Sequence, residues 1–121
     1  MRNALTFHVF FASKYRRDTL RGETQTLLEN LVPALVEQFG GECLACAIHD
    51  DDHMHMVINL PPSLALENIV RDIKSASGRI ANRQRGASGP FWQKRFLART
   101  VNQSAKDQRK VIEYVNRNKA Q

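Results

Sequence analysis

Cysteine is scarce in this sequence: Cys43 and Cys46 are the only two in 121 residues. They form a CLAC motif inside an apolar stretch that reads as a strand, where an offset of three puts side chains on opposite faces. A reactive CxxC sits at a helix N-terminus and a closed zinc site needs four ligands, so the pair reads as two buried thiols. Long hydrophobic runs are missing as well. No segment approaches the roughly 18 to 20 apolar residues that cross a bilayer, which excludes a membrane helix. The N-terminal stretch MRNALTFHVFFASKYRR lacks a small-residue cleavage site and alternates like a strand, so it reads as mature sequence. Without repeats, low-complexity tracts or a long linker, the expectation is a single domain over residues 1–121, cytoplasmic and with no membrane partner.

Acidic residues are nearly absent from the second half. Residues 71–121 hold 13 Lys and Arg against 3 Asp and Glu, a net +10, whereas residues 1–70 hold 5 against 9, a net −4. A chain polarised in this way calls for a polyanion, most often nucleic acid. Arg71, Lys74, Arg79, Arg83 and Arg85 on the second helix form the densest basic surface.

Hydrophobic periodicity orders the elements. ALTFHVFFA (4–12) alternates as a first strand, with Leu5, Phe7, Val9 and Phe11 inward and His8 and Phe10 outward. Residues 23–39 carry Leu27, Leu28, Leu31, Leu35 and Phe39 at helical spacing and stop at Gly40–Gly41, with Pro33 expected to kink or divide the helix. ECLACAIH (42–49) and residues 53–60 form a hairpin turned by Asp50–Asp52. A helix over 64–83 is capped by Ser63 and buries Leu66, Ile69, Ile73, Ala76 and Ile80. FWQKRFLARTV (91–101) is a fourth strand, in which Trp92 and Phe96 read as packing residues, and a last helix over 104–121 opens at a capping Ser104. The order is β-α-β-β-α-β plus a C-terminal helix. That is the α+β, ferredoxin-like antiparallel sheet with two helices on one face and the other face open.

The chemistry concentrates in HDDDHMHMVI (49–58). In a strand, His53, His55, Val57 and Asn59 share one face, and Met54, Met56, Ile58 and Leu60 make a clean core face on the other. Two imidazoles side by side suit a catalytic ion with open positions. A third ligand comes from elsewhere, and Tyr114 and Asn118, four apart on the last helix, face the same way. His8 and His49 read as structural, although His49 lies only four residues before His53, across the turn.

Five segments, which follow one another along the chain in the family's order, resemble the small single-tyrosine HUH transposases of the bacterial insertion-sequence 200/605 class. DHMH matches the histidine–hydrophobic–histidine motif, VIEYVNRN the tyrosine helix, HVFFASKYRRDTL the opening strand and basic turn, IVRDIKSASGRI the second helix and FWQKRF the Trp-containing strand. The resemblance implies cleavage and rejoining of single-stranded DNA, hairpin-bearing, by a homodimer. Tyr114 would be the nucleophile, forming a 5′-phosphotyrosine link, and His53 and His55 would hold Mg²⁺ or Mn²⁺ with Asn118 as third ligand. Where the family carries Gln at that position, Asn118 is shorter by roughly 1.5 Å. Asp50 and Asp52 are further candidates at the metal. Lys14, Arg16, Arg17, Lys74, Arg79, Arg83, Lys94 and Arg95 would contact DNA. The alternative is a domesticated, non-catalytic nucleic-acid-binding protein of the same fold.

Overall fold

The structure is a computed structural model and describes residues 3–14 and 19–117. Its elements run β1 Leu5–Ala12, α1 Gly22–Gln38, β2 Glu42–His49, β3 His53–Leu60, α2 Leu66–Arg85, β4 Leu97–Val101 and α3 Ala105–Asn116. The four strands form one sheet in the order β2-β3-β1-β4, with every neighbouring pair antiparallel. The expected α+β architecture is therefore present. No described helix is long and apolar enough to cross a membrane.

The alternation in β1 and β3 does what its pattern requires. Val9 and Phe11 join Met54, Met56, Ile58 and Leu60 in a core closed by Leu28, Val32 and Val36 of α1 and Ile69, Val70 and Ile73 of α2. Burying such side chains supplies about 1.5–3 kcal/mol each before the entropy of ordering them is charged. Glu29 enters this layer with its carboxylate accepting the Ile48 N–H at 2.8 Å, so a buried charge is hydrogen-bonded and the edge strand β2 is partly capped.

Several expectations change. Pro33 lies in the interior of α1 without dividing it. The helix ends where expected: Gly40 takes φ 100°, a conformation that a side chain disfavours, and the Gly41 N–H closes on the Val36 carbonyl at 2.9 Å. α2 starts two residues later than expected, because a turn closing Leu64 N–H on Pro61 O keeps Ser63 outside the helix; the residue at the N-cap is Ala65. Its buried face is Ile69, Val70, Ile73, Ser77, Gly78 and Ala81, so Ile80 falls to the margin.

The two cysteines do not face opposite ways. A bulge between Cys43 and Ala45 adds one residue, Cys43 pairs with Ile58 and Cys46 with Met56, and both thiols end on the core side. Residues 91–96 are not strand. Trp92 turns into the core, its Nε1–H donating to Ser77 Oγ at 3.0 Å, and Gly78 leaves room for it: a Cβ there would lie 3.2 Å from Phe91 Cβ. Lys74 Nζ donates to the carbonyls of Gln93 and Arg95, pinning the segment without a ladder. Trp92 is thus packing, as its sequence context indicated.

The largest change concerns the face expected to be open. α3 lies across it, packing Val111, Ile112 and Val115 on Ala45, Ala47 and Val57. Its start is fixed by Ser104, whose Oγ accepts the Asp107 N–H at 3.2 Å, as expected of a capping serine. Gln103 and Gln108 donate to Thr6 Oγ1 at 3.2 and 3.1 Å, tying the first turn to β1. Its apolar contact falls on β2 and β3, and His8, Phe10 and Arg99 of β1 and β4 line a cleft beside it.

Candidate active site

Ladder register assembles the site. Antiparallel partners share a face, so Phe10 stands beside His55, His8 beside Arg99, and His49 beside His53. The turn that brings His49 and His53 together holds Asp50 and Asp51 at φ 55° and 60°, a left-handed conformation that aspartate tolerates better than most residues. All four histidines of the chain consequently project from the α3 side of the sheet.

His55 is the centre. Its ring lies between His49, centroids 4.0 Å apart and 17° from parallel, and Phe10, 5.1 Å away and 6° from parallel. His55 Nδ1 is 2.9 Å from His8 Nε2. Burial, then the neighbouring His49, His8 and His53, push its pKa down from 6.5 to about 3, and burial with Arg99 and His49 lowers that of His8. At neutral pH the pair shares one proton along the Nδ1···Nε2 line. With His55 Nδ1–H donating to His8, His55 keeps the Nε2 lone pair for a ligand. His49 Nε2 donates to the Val115 carbonyl at 3.1 Å, fastening the last turn of α3 to the hairpin.

Tyr114 stands edge-on to three of these rings: its centroid is 5.2 Å from that of His49 and 6.1 Å from those of both His8 and His55. It is 44% exposed, unlike the buried His55. Phenol and imidazoles open onto a cleft of about 510 Å³ lined by His8, Phe10, His55, Arg99, Lys110 and Tyr114 among others. The Arg117 guanidinium lies over the phenol ring, 5.6 Å from its centroid.

The expected ligand pair is only partly assembled. His53 Nδ1 pairs with the Asp52 carboxylate, the kind of partner that orients metal-binding histidines. The His53 and His55 centroids are 6.3 Å apart at 56°. Two imidazoles bound cis to one ion at about 2.1 Å per nitrogen bring their centroids to roughly 5 Å. His53, the more exposed ring, would have to turn to close that gap. Among the described residues no group of three or more His, Cys, Asp or Glu side chains is placed to hold an ion. Asn118, the expected third ligand, lies outside the described residues, as do Arg16 and Arg17. The donor chemistry of the two histidines fits a divalent cation; the third ligand does not come from the described acids.

The expected DNA-contacting residues separate from this cleft. Lys74, Arg79, Arg83 and Lys94 line a second groove of about 640 Å³ between α2 and the 87–94 segment, on the helical side of the sheet. Lys74 spends its ammonium on backbone carbonyls, and burial lowers its pKa. Lys14 and Arg95 are exposed, Lys14 with its N–H on the Phe91 carbonyl. Sequence reasoning read His8 and His49 as structural, which their bonds to His55 and to the Val115 carbonyl bear out, and missed Arg99 and Lys110. For Lys110 the signal was available, since it precedes Tyr114 by one helical turn.

The chain matches the family described as "Transposase IS200 like" over residues 1–118. It is 26% identical over 120 residues to the transposase for insertion sequence element IS200 of Salmonella typhimurium, covering 90% of this chain and 73% of that protein. It is 27% identical over 116 residues to the ISDra2 transposase TnpA of Deinococcus radiodurans, covering 90% and 82%. Among solved structures, a Deinococcus radiodurans protein described as a transposase superposes with a TM-score of 0.74 at 22% identity, over 100% of this chain and 95% of that one. A REP-associated tyrosine transposase bound to a REP hairpin superposes with a TM-score of 0.68 at 21% identity, over 92% of this chain and 64% of that one. These two likenesses establish a shared fold.

Proposed function

This chain belongs to the IS200-like transposase family, a family of DNA-processing enzymes, and from that premise we propose that it cleaves and rejoins single-stranded DNA with Tyr114 as nucleophile. The observation that carries the proposal is that Tyr114 and His55 of one chain open onto one cleft. In the forward step the Tyr114 oxygen attacks a phosphodiester phosphorus and loses its proton; the P–O3′ bond breaks, and the departing strand leaves as a 3′-OH. One P–O bond forms and one breaks, so the step needs no external energy and runs backwards when another 3′-OH attacks. The DNA partner is supported by the net +10 of residues 71–121 and by a structural neighbour that is bound to a REP hairpin.

A phenol, with an ordinary pKa of about 10, is a weak nucleophile at neutral pH and needs help. His53 and His55 would hold a divalent ion, Mn²⁺ suiting imidazole better than Mg²⁺, with Asn118 completing the set, and the ion would supply charge stabilisation at the phosphate. The chain's own residues do the rest. Burial keeps His55 uncharged and able to ligate, His8 orients its ring, and His49 holds α3 so that the phenol faces the imidazoles. The protein would act in the cytoplasm as a homodimer, each chain bringing its tyrosine to its own histidines.

The scattered metal donors favour one second reading, a non-catalytic nucleic-acid-binding protein of this fold. One experiment separates the two. Wild-type protein with Mn²⁺ and a labelled, hairpin-bearing single strand is resolved on a denaturing gel. A slow-migrating adduct that disappears in Tyr114→Phe and His55→Ala supports the enzyme. Salt-sensitive binding with no adduct under any divalent ion supports the binding protein.

A further inference from the structure

The cleft beside Tyr114 contains two cations that the transfer step above does not use. Resting on that reading, we infer that Arg99 and Lys110 form a phosphate clamp for the DNA strand next to the scissile bond, with Phe10 and Leu97 beneath the adjoining base. Their placement is the first argument. Arg99 stands on β4 directly across the ladder from His8, and Lys110 stands on α3 one turn before Tyr114, so the floor and the wall of the cleft each present one positive group.

Charge is the second argument. No carboxylate is among the described residues lining the cleft, so Arg99 and Lys110 face no counter-ion among them. Such a cleft draws an anion into the gap between the cations. Its volume, about 510 Å³, falls within the range of small-molecule sites, the scale of a nucleotide rather than of a duplex.

Apolar exposure is the third. α3 packs its apolar side chains on β2 and β3 and leaves the Leu97 end of β4 exposed. Leu97, the ladder partner of Phe10, is 62% exposed, the most exposed large apolar side chain among the described residues. Phe10 and Leu97, ladder partners, offer an apolar surface on the same face as Arg99, the pairing of apolar contact and cations that single strands use. An unpaired base fits this surface; a base inside a helix cannot lie on it.

The test measures binding of a fluorescein-labelled oligo(dT) strand by anisotropy over a series of NaCl concentrations, in a Tyr114→Phe background so that no covalent trapping enters. Arg99→Gln and Lys110→Gln should each weaken binding and reduce the slope of log K against log[salt] by about 0.7, the value for one lost phosphate contact on a single strand. Arg99→Lys should retain the slope. Arg109→Gln, an exposed cation on the same helix that does not line the cleft, should change neither. Unchanged slopes in the Arg99 and Lys110 variants, or the same loss in Arg109→Gln, would overturn the clamp. The two readings fail separately: a clamp-dependent slope in a chain that never forms an adduct removes the nucleophile and keeps the clamp, and the reverse result keeps the nucleophile and removes the clamp.

Discussion

Along β3, Met54, Met56 and Ile58 are fully buried on one side of the sheet, while His53, His55 and Asn59 alternate with them on the other and meet rings, carboxylates and amides. Eight consecutive residues thus contribute to two surfaces of opposite character. The helical side is a filled, apolar layer whose residues are interchangeable in kind provided their volume is kept. The α3 side is a thin apolar contact of Val111, Ile112 and Val115 beside a cluster of polar rings, each with an assigned neighbour. Stability is concentrated on the first surface and chemistry on the second, so damage to one should leave the other readable.

The sharpest separation is Tyr114→Phe. Loss of one exposed hydroxyl should abolish the covalent adduct, on the order of a thousandfold or more when a nucleophile is removed. Folding stability should move by no more than about 0.5 kcal/mol, as for most surface changes. Paired urea melts and adduct gels on the same preparation check both halves; an unfolded Phe variant would break the comparison. Ile58→Ala is the mirror image. It removes a fully buried side chain from the core face and should cost about 2–5 kcal/mol in the melt, while adduct yield per folded molecule stays at the wild-type level.

A smaller effect tests the join between the surfaces. His49→Phe keeps a ring against His55 but deletes the donor to the buried Val115 carbonyl. It should cost about 1–3 kcal/mol, and amide exchange at residues 111–116 should quicken before that of β3. The last effect is in pH. Because folded His55 takes its proton only near pH 3 while the unfolded side chain takes it near 6.5, the unfolded chain binds more protons between those values. Stability therefore falls as pH drops through that window and is fully retained above 6.5; His8, lowered in the same direction, adds to the slope. His55→Phe should flatten the dependence, measured as urea midpoints across the window, and a steeper dependence in that variant would contradict the burial of a neutral ring.

The fold was legible where a period of two or 3.6 acts over several residues: β1, the β2–β3 hairpin and all three helices lie where alternation and helical spacing put them. It was illegible where one residue changes the count. The bulge at Cys43–Ala45 is invisible to a strict period of two, and it turned the cysteines onto one face. FWQKRF carries the bulky residues of a strand, but its Trp92 is claimed by Ser77 and by the space above Gly78. At the site, His55 and Tyr114 follow from motif and helix face alone. That His8, His49, Arg99 and Lys110 gather around them depends on ladder register and on where α3 crosses the sheet, long-range facts that a local face or turn assignment does not contain.

The most direct test of the account is to locate the covalent nucleotide. Wild-type protein, incubated with Mn²⁺ and a hairpin-bearing single strand, is digested with nuclease and protease and sequenced by tandem mass spectrometry. The account predicts a nucleotide attached through its 5′-phosphate to Tyr114; attachment at Tyr15, or adduct formation undiminished in Tyr114→Phe, would contradict it.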